Sequence, residues 1–189
     1  HASPNSGVAA GGSVEAALEV ALRLHSRRPA GPREDILVFL TGAEEIATAA
    51  HAARELAAAL PAELPALEVV ALHAALPADE QARALAPAPA GSRKLILSTN
   101  VAETSLTIDG VRAVVDPGYA KEKSFVRERG MEVLATARIS RSAAAQRAGR
   151  AGRTAPGEVW RLYSEADFDA MAAEPTPEIA RCNLAHALL

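Results

Sequence analysis

The 189-residue sequence has little of several residue types, and each shortage excludes a class of protein. Its single cysteine, Cys182, excludes an internal disulfide and favours a reducing compartment. The five histidines are scattered and give no metal-ligand spacing, so no metal site is predicted. No apolar run approaches the roughly 18 residues needed to cross a bilayer, and no charged-then-apolar leader is visible. We therefore expect an intracellular protein without membrane contact, and the sequence does not distinguish nucleus from cytoplasm.

The chain also lacks an excess of charge of either sign. Its formal net charge is −3, with 49% hydrophobic and 23% charged residues, which is typical of a globular domain and argues against polyanion binding over the whole surface. Any nucleic-acid contact must therefore be local. Because the chain begins with His1 and not with methionine, we expect it to be part of a longer protein, with a flexible lead-in over residues 1–12.

Apolar runs alternate with helical patterns along most of the sequence. Residues 36–40 form a continuous apolar run, which is typical of a strand buried on both faces, and apolar residues between Ile46 and Leu60 recur at helical spacing. The same alternation predicts strands at 67–72, 94–97, 113–115 and 158–162, and helices at 13–25 (with Ser13 as N-cap), 77–85 and from about 140 and 164. It indicates an α/β fold with a mainly parallel sheet covered on both faces.

In such a sheet the ligand-facing loops follow the carboxyl ends of the strands. The predicted loops are residues 41–42, 73–75, 98–100 and 116–118, most of them rich in small polar or turn residues. Trp160 and Phe168 are expected in the core, and Cys182 is expected to be an inert buried thiol.

Residues 119–137 depart from this alternation. Two extended runs flank Arg129-Gly130, which predicts a hairpin that stands off the sheet, and several lysines and arginines make it basic. Two interpretations remain open: a charged hairpin that only keeps the protein soluble, or one that contacts a polyanion.

Residues 146–153, Gln-Arg-Ala-Gly-Arg-Ala-Gly-Arg, carry three arginines at a three-residue spacing. On a helix, Arg147 and Arg150 share nearly one face and could reach one anionic target, while Gly149 and Gly152 let the helix end so that Arg153 can extend forward. Guanidinium groups suit phosphate oxygens. A solvated basic helix, or one that rests on nucleic-acid phosphates, is the alternative.

A second distinctive run, residues 98–110, reads Ser-Thr-Asn-Val-Ala-Glu-Thr-Ser-Leu-Thr-Ile-Asp-Gly. Together with residues 146–153 it resembles motifs V and VI of the DEAH-box family of superfamily 2 RNA helicases. Further matches, in the family's order, lie at residues 39–46, 76–77, 87–89, 116–119 and 177–179. The resemblance covers roughly residues 14–189, and it is specific because the motifs form an ordered set.

The resemblance implies a RecA-like three-layer domain, the second of two (RecA2), over residues 13–175, with a winged-helix-like domain starting at residues 176–189. The first domain, RecA1, would carry the Walker A lysine and the DEAH box and would hold Mg²⁺. Neither motif is in this chain: the sequence has no Gly-Lys-Ser/Thr loop, and Asp79-Glu80 is followed by Gln81-Ala82. By itself the chain is therefore expected to hold half of a composite ATP site and to be inactive.

The resemblance also implies roles for residues near the nucleotide. Arg150 and Arg153 would contact the ATP phosphates, with Arg153 as the arginine finger, and Gln146 would help to place the attacking water. Thr107 and Asp109 would face the nucleotide, with Asp109 accepting a hydrogen bond from the ribose. Ser105 would sense the nucleotide state.

The position before residues 87–89 commonly holds an aromatic residue that stacks on the adenine in this family. Leu85 occupies it here, so the base should be held less firmly and other nucleoside triphosphates could serve in place of ATP.

For RNA, the resemblance implies that Thr99 and Asn100 hold the RNA backbone and that Lys121 adds a charge contact. Contacts of this kind do not depend on the RNA sequence. A helix cap at Thr99 is the alternative interpretation of that residue. Glu103 is a lone carboxylate, which is a poor signal for a general base, and is expected to be structural.

The favoured function is ATP-driven RNA translocation or ribonucleoprotein remodelling in the full-length protein. The alternative is a non-catalytic RNA-binding or partner-docking module, and the resemblance also implies that a G-patch protein could act as activator. The RNA target, pathway and unwinding polarity cannot be deduced from the sequence.

Overall fold

The computed structural model describes residues 10–27, 34–104, 106–126, 131–151 and 156–177. The helices are α1 (Ala10–Arg27), α2 (Ala43–Ala58), α3 (Ala78–Leu85), α4 (Val101–Thr104), α5 (Arg141–Ala148) and α6 (Glu165–Asp169). The strands are β1 (Asp35–Phe39), β2 (Ala66–Leu72), β3 (Ser92–Ser98), β4 (Val111–Asp116), β5 (Tyr119–Val126), β6 (Met131–Arg138) and β7 (Glu158–Arg161). Cys182, Ser105 and Arg153 lie outside the described residues.

Five of these strands form a parallel sheet in the order β2-β3-β1-β4-β7. The central strand β1 is buried along its whole length, which explains its uninterrupted apolar run. Alternate residues of β1 enter separate cores: Ile36 and Val38 pack with α1 and α2, whereas Leu37 and Phe39 pack with residues of α3 and α4. The predicted α/β fold, a mainly parallel sheet between helical layers, is confirmed.

The predicted hairpin is also confirmed. Strands β5 and β6 pair only with each other among the described strands, in an antiparallel register that places Lys121 opposite Thr136. Leu134 and Met131 are 65% and 50% exposed, because the hairpin stands away from the five-stranded sheet. Its base is fixed by a small core that includes Ala120 and Ile139.

Two local expectations were wrong. Helix α1 begins at Ala10 and not after an N-cap at Ser13, so the capping signal did not set this helix start. Trp160 is 38% exposed and is not part of the core. It lies on β7, which is the last strand in the order of the five-stranded sheet and pairs there with β4. Phe168 is partly buried, and the Arg161 guanidinium lies over its ring at 4.6 Å from the centroid.

A buried lysine connects the amino end of the sheet to α3. The Lys94 ammonium donates to the carbonyl of Ala84 at 2.7 Å and to that of Ala86, and it lies 3.9 Å from Oδ2 of Asp35. Burial lowers the pKa of Lys94 and raises the pKa of Asp35. Since these carbonyls are at the carboxyl end of α3, the contact fixes the segment that carries Leu85.

Candidate functional site at the carboxyl edge of the sheet

The loops that follow β1, β2, β3 and β4 lie at one edge because the strands are parallel. Thr41 and Gly42 follow β1, Thr99 and Asn100 follow β3, and Pro117 and Gly118 follow β4. Helix α5 contacts α4 and β4. The segments that follow β1, β3 and β4 therefore meet at this edge, whereas Thr107 and Asp109 just precede β4 and Leu85 ends α3, toward the amino ends of the strands.

Helix α5 begins and ends where the sequence signals indicated. The Ser140 hydroxyl accepts a hydrogen bond from the amide of Ala143 at 3.1 Å, which caps the helix start. At the other end Gly149 is the C-cap, and its amide donates to the carbonyl of Ala145 at 2.9 Å. A turn over residues 149–151 follows the helix.

Arg147, on α5, is completely buried and joins four other elements. Its Nη1 donates to Oδ1 of Asp116 at 2.7 Å and its Nε donates to Oε2 of Glu103 at 3.1 Å. Its Nη2 donates to the carbonyl of Tyr119 at 3.2 Å, and the guanidinium lies 4.5 Å from the centre of the Phe39 ring. The expectation that Arg147 and Arg150 share one external anionic target is therefore wrong: the anions that Arg147 binds are two carboxylates of the same domain.

The Asp116 carboxylate is itself enclosed by donors. Its Oδ1 also accepts from the amide of Gly118 at 2.9 Å, and its Oδ2 accepts from the Tyr163 hydroxyl at 3.1 Å. Burial, and next the Asp116 charge, raise the pKa of Tyr163, which keeps the phenol protonated as a donor. Gly118 has φ +83°, and a Cβ there would lie 2.7 Å from the Tyr163 ring, so both conformation and space require glycine.

Arg150 is 7% exposed and donates to main-chain carbonyls beside α4. Its Nη1 lies 2.6 Å from the carbonyl oxygen of Leu106, and its Nη2 donates to the carbonyl of Glu103. These contacts hold the segment that leads to Thr107 and Asp109. For a phosphate contact, the guanidinium must use its other N–H groups or release these carbonyls.

The other predicted nucleotide-facing residues differ in exposure. Gln146, Thr107 and Asp109 are exposed, so their side chains are accessible to a ligand. Leu85 is half-buried and packs against the core shared with α4.

The predicted RNA-contacting residues are accessible at the carboxyl edge. Asn100 and Lys121 are exposed, and Thr99 is half-buried. The Lys121 side chain crosses the start of α2, where a Cβ on Gly42 would lie 3.0 Å from its Nζ. Glu44 and Glu45 in the first turn of α2 offset this charge beside the helix N-terminus, and the exposed ammonium remains accessible to a phosphate.

Sequence reasoning missed Tyr163 and the partners of Asp116 and Glu103, although Glu103 has the structural role expected of it. Glu103 looked like a lone carboxylate because its partner, Arg147, is 44 residues away in the chain. Only the matched motifs could have indicated that these segments meet.

Among the ranges described here, no group of three or more histidine, cysteine or acidic residues could hold a metal ion. No helix within those ranges has the length and apolarity to cross a membrane.

A five-stranded parallel sheet between helical layers, with arginine-rich α5 at its carboxyl edge, defines a RecA-like domain. The family model of the helicase conserved C-terminal domain matches residues 17–155, and the chain belongs to this family. The resemblance to DEAH-box RNA helicases is thereby confirmed.

Similar proteins agree with this assignment. The ATP-dependent RNA helicase DHX33 of Mus musculus is 46% identical over 176 residues, covering 93% of this chain and 25% of that protein. The pre-mRNA-splicing factor ATP-dependent RNA helicase prp22 of Schizosaccharomyces pombe is 45% identical over 177 residues, covering 93% of this chain and 15% of that protein. The crystal structure of the E. coli DExH-box NTPase HrpB matches with a TM-score of 0.79 and 34% identity, covering 98% of this chain and 21% of that one. The chain thus spans a quarter or less of each of these proteins.

Proposed function

We propose that this chain is the RecA2 half of an ATP-dependent RNA helicase, in which NTP hydrolysis is coupled to RNA translocation or ribonucleoprotein remodelling. The observation that carries the proposal is a buried contact that joins the segments at the carboxyl edge of the sheet to α5. Accessible Asn100 and Lys121 suit an RNA backbone, and Arg147 joins their segments to the arginine helix α5. The similar proteins are named as RNA helicases, which supports the same function.

In the proposed enzyme, RecA1 of the same protein completes the ATP site and holds Mg²⁺. Exposed Asp109 and Thr107 fit contacts to the ribose and nucleotide, and Gln146 fits a position near the attacking water. Bound ATP supplies the free energy of phosphoryl transfer. Arg150 and Arg153 would offset the charge that develops on the transferred group.

We propose that residues 13–175 form this domain and that residues 176–189 begin a winged-helix-like domain. We also propose that the protein acts inside the cell, in the nucleus or the cytoplasm, where its RNA would be found. A G-patch protein is the proposed class of activator.

Lys121→Ala and Thr99→Ala in the full-length protein test the RNA assignment. Both variants should weaken RNA binding equally for unrelated sequences, because contacts to the backbone carry no sequence information. Lys121→Ala should also reduce the slope of log Kd against log salt by about one phosphate contact. Fluorescence anisotropy with several single-stranded RNAs measures both effects.

The matched control is Lys123→Ala, because Lys123 is an exposed lysine on the same strand. A loss of affinity for some sequences only would contradict the assignment.

Leu85→Phe tests how the base is held. Leucine offers apolar contact without a planar face, so the full-length protein should show similar KM values for ATP, GTP, CTP and UTP. Stacking on an aromatic ring is worth about 1–3 kcal/mol for any base, so Leu85→Phe should lower all of these KM values together. Leu85→Met, which keeps the volume but adds no ring, is the control. A wild-type preference for ATP of about tenfold or more, equivalent to about 1.4 kcal/mol, would contradict this account, and so would a Phe variant that behaves like wild type.

A further inference from the structure

The buried guanidinium of Arg147 contacts both segments that carry the predicted RNA contacts. In the first segment, the Glu103 carboxylate binds Arg147, and the Glu103 amide donates to the carbonyl of Asn100 at 2.9 Å. In the second, the carbonyl of Tyr119 binds Arg147 two residues before Lys121. Each RNA-facing position is thus within four residues of a group that Arg147 holds.

The contact is also rigid. The Arg147 side chain is 0% exposed, and its partner side chains Asp116 and Glu103 are 0% and 15% exposed. A planar guanidinium that donates hydrogen bonds from all three of its nitrogens cannot move with one partner without breaking its hydrogen bond to another. Because packed interiors do not deform smoothly, a displacement of α4 or of the start of β5 must be transmitted to α5.

Helix α5 carries Gln146, and the turn that follows its C-cap carries Arg150, two of the residues assigned to the nucleotide. Gln146 precedes Arg147 in the chain, and Arg150 follows it by less than one helical turn. We propose that Arg147 is a positioning residue that couples RNA occupancy at residues 99–100 and 121 to the orientation of α5, with Glu103 as its essential partner. This inference rests on the proposed function, and it assigns to that site the contact through which RNA regulates ATP turnover.

Two mild substitutions in the full-length protein test the proposal. Glu103→Gln keeps the side-chain size and an oxygen acceptor but removes the charge, and Arg147→Lys keeps the charge but removes the fork of donors. Tyr163→Phe is the matched control because it removes one hydrogen bond to the same Asp116 carboxylate from the segment between β7 and α6. Thermal melting establishes that each variant is folded, and Glu103→Gln decides the matter if Arg147→Lys does not fold.

The measured quantities are the ratio of RNA-saturated to basal ATP turnover, the KM for ATP and the Kd for RNA. We expect both test variants to lower the ratio by about tenfold or more, because a small misplacement of catalytic groups slows the chemical step. The KM for ATP and the Kd for RNA should stay near their wild-type values. The double variant should be no worse than the more impaired single variant, because both substitutions disrupt the same contact between Arg147 and Glu103. Tyr163→Phe should keep the wild-type ratio.

The inference is overturned if both test variants keep the ratio of the control, or if the double variant shows the product of the two single effects. A wild-type full-length protein without RNA-stimulated turnover would instead contradict the proposed function. The two failures are distinguishable because the wild-type protein is measured first.

Discussion

Arg153→Ala in the full-length protein is expected to lower RNA-stimulated ATP turnover by about 10³-fold or more. In related phosphoryl-transfer systems an arginine finger contributes this much, because it offsets charge that develops only in the transition state. The KM for ATP should change far less than kcat, and RNA affinity should be unchanged. Steady-state turnover and RNA anisotropy on the same preparation measure the two quantities.

The control for Arg153→Ala is Arg141→Ala, which removes an exposed arginine from the first turn of the neighbouring helix α5. Turnover by this control should match wild type, which would exclude a general effect of lost positive charge. If Arg153→Ala instead abolished RNA binding and left basal turnover normal, the arginine segment would belong to the RNA site.

Arg147→Ala is expected to destabilise the isolated domain by about 3–5 kcal/mol. The substitution leaves the buried Asp116 and the nearly buried Glu103 without their shared cation, and an unpaired buried charge is costly. Urea unfolding monitored by circular dichroism should show a lower midpoint with an unchanged slope. A change of slope would indicate that the native state itself had loosened.

The control for Arg147→Ala is Arg138→Ala, which removes an exposed ion pair instead of a buried one. Arg138 pairs with Asp167 at 3.2 Å, but the two side chains are 40% and 44% exposed, so solvent screens the interaction. Its loss should therefore lower the urea midpoint far less than Arg147→Ala does. Equal effects of the two substitutions would show that the Arg147 cluster does not organise the domain.

Hydrophobic periodicity predicted the order of strands and helices because the sheet is parallel and buried on both faces. The apolar run at residues 36–40, for example, corresponds to β1, which ends at Phe39. Local signals were weaker where packing decided the outcome. The Ser13 cap did not form because α1 extends through Gly11 and Gly12, despite the low helix propensity of glycine.

The candidate site was predictable only in part. Its segments follow from the matched motifs, and the carboxyl edge follows from the parallel sheet. The spacing of Arg147 and Arg150 predicted a shared helix face, but α5 ends at Ala148, before Arg150, and the spacing could not show what Arg147 contacts. The partners Glu103 and Asp116 are 44 and 31 residues from Arg147, and such long-range pairing is set by the packing of the whole sheet.

The central claim is that this chain holds one half of a composite ATP site. It is tested most directly by measuring RNA-stimulated ATP turnover of the purified 189-residue chain beside that of the full-length protein, at equal concentrations. The account predicts a folded chain with no turnover and a full-length protein with turnover that RNA increases, because the Walker A lysine and the Mg²⁺ ligands are expected in RecA1. Turnover by the isolated chain, or a full-length protein that binds RNA without hydrolysing ATP, would contradict it.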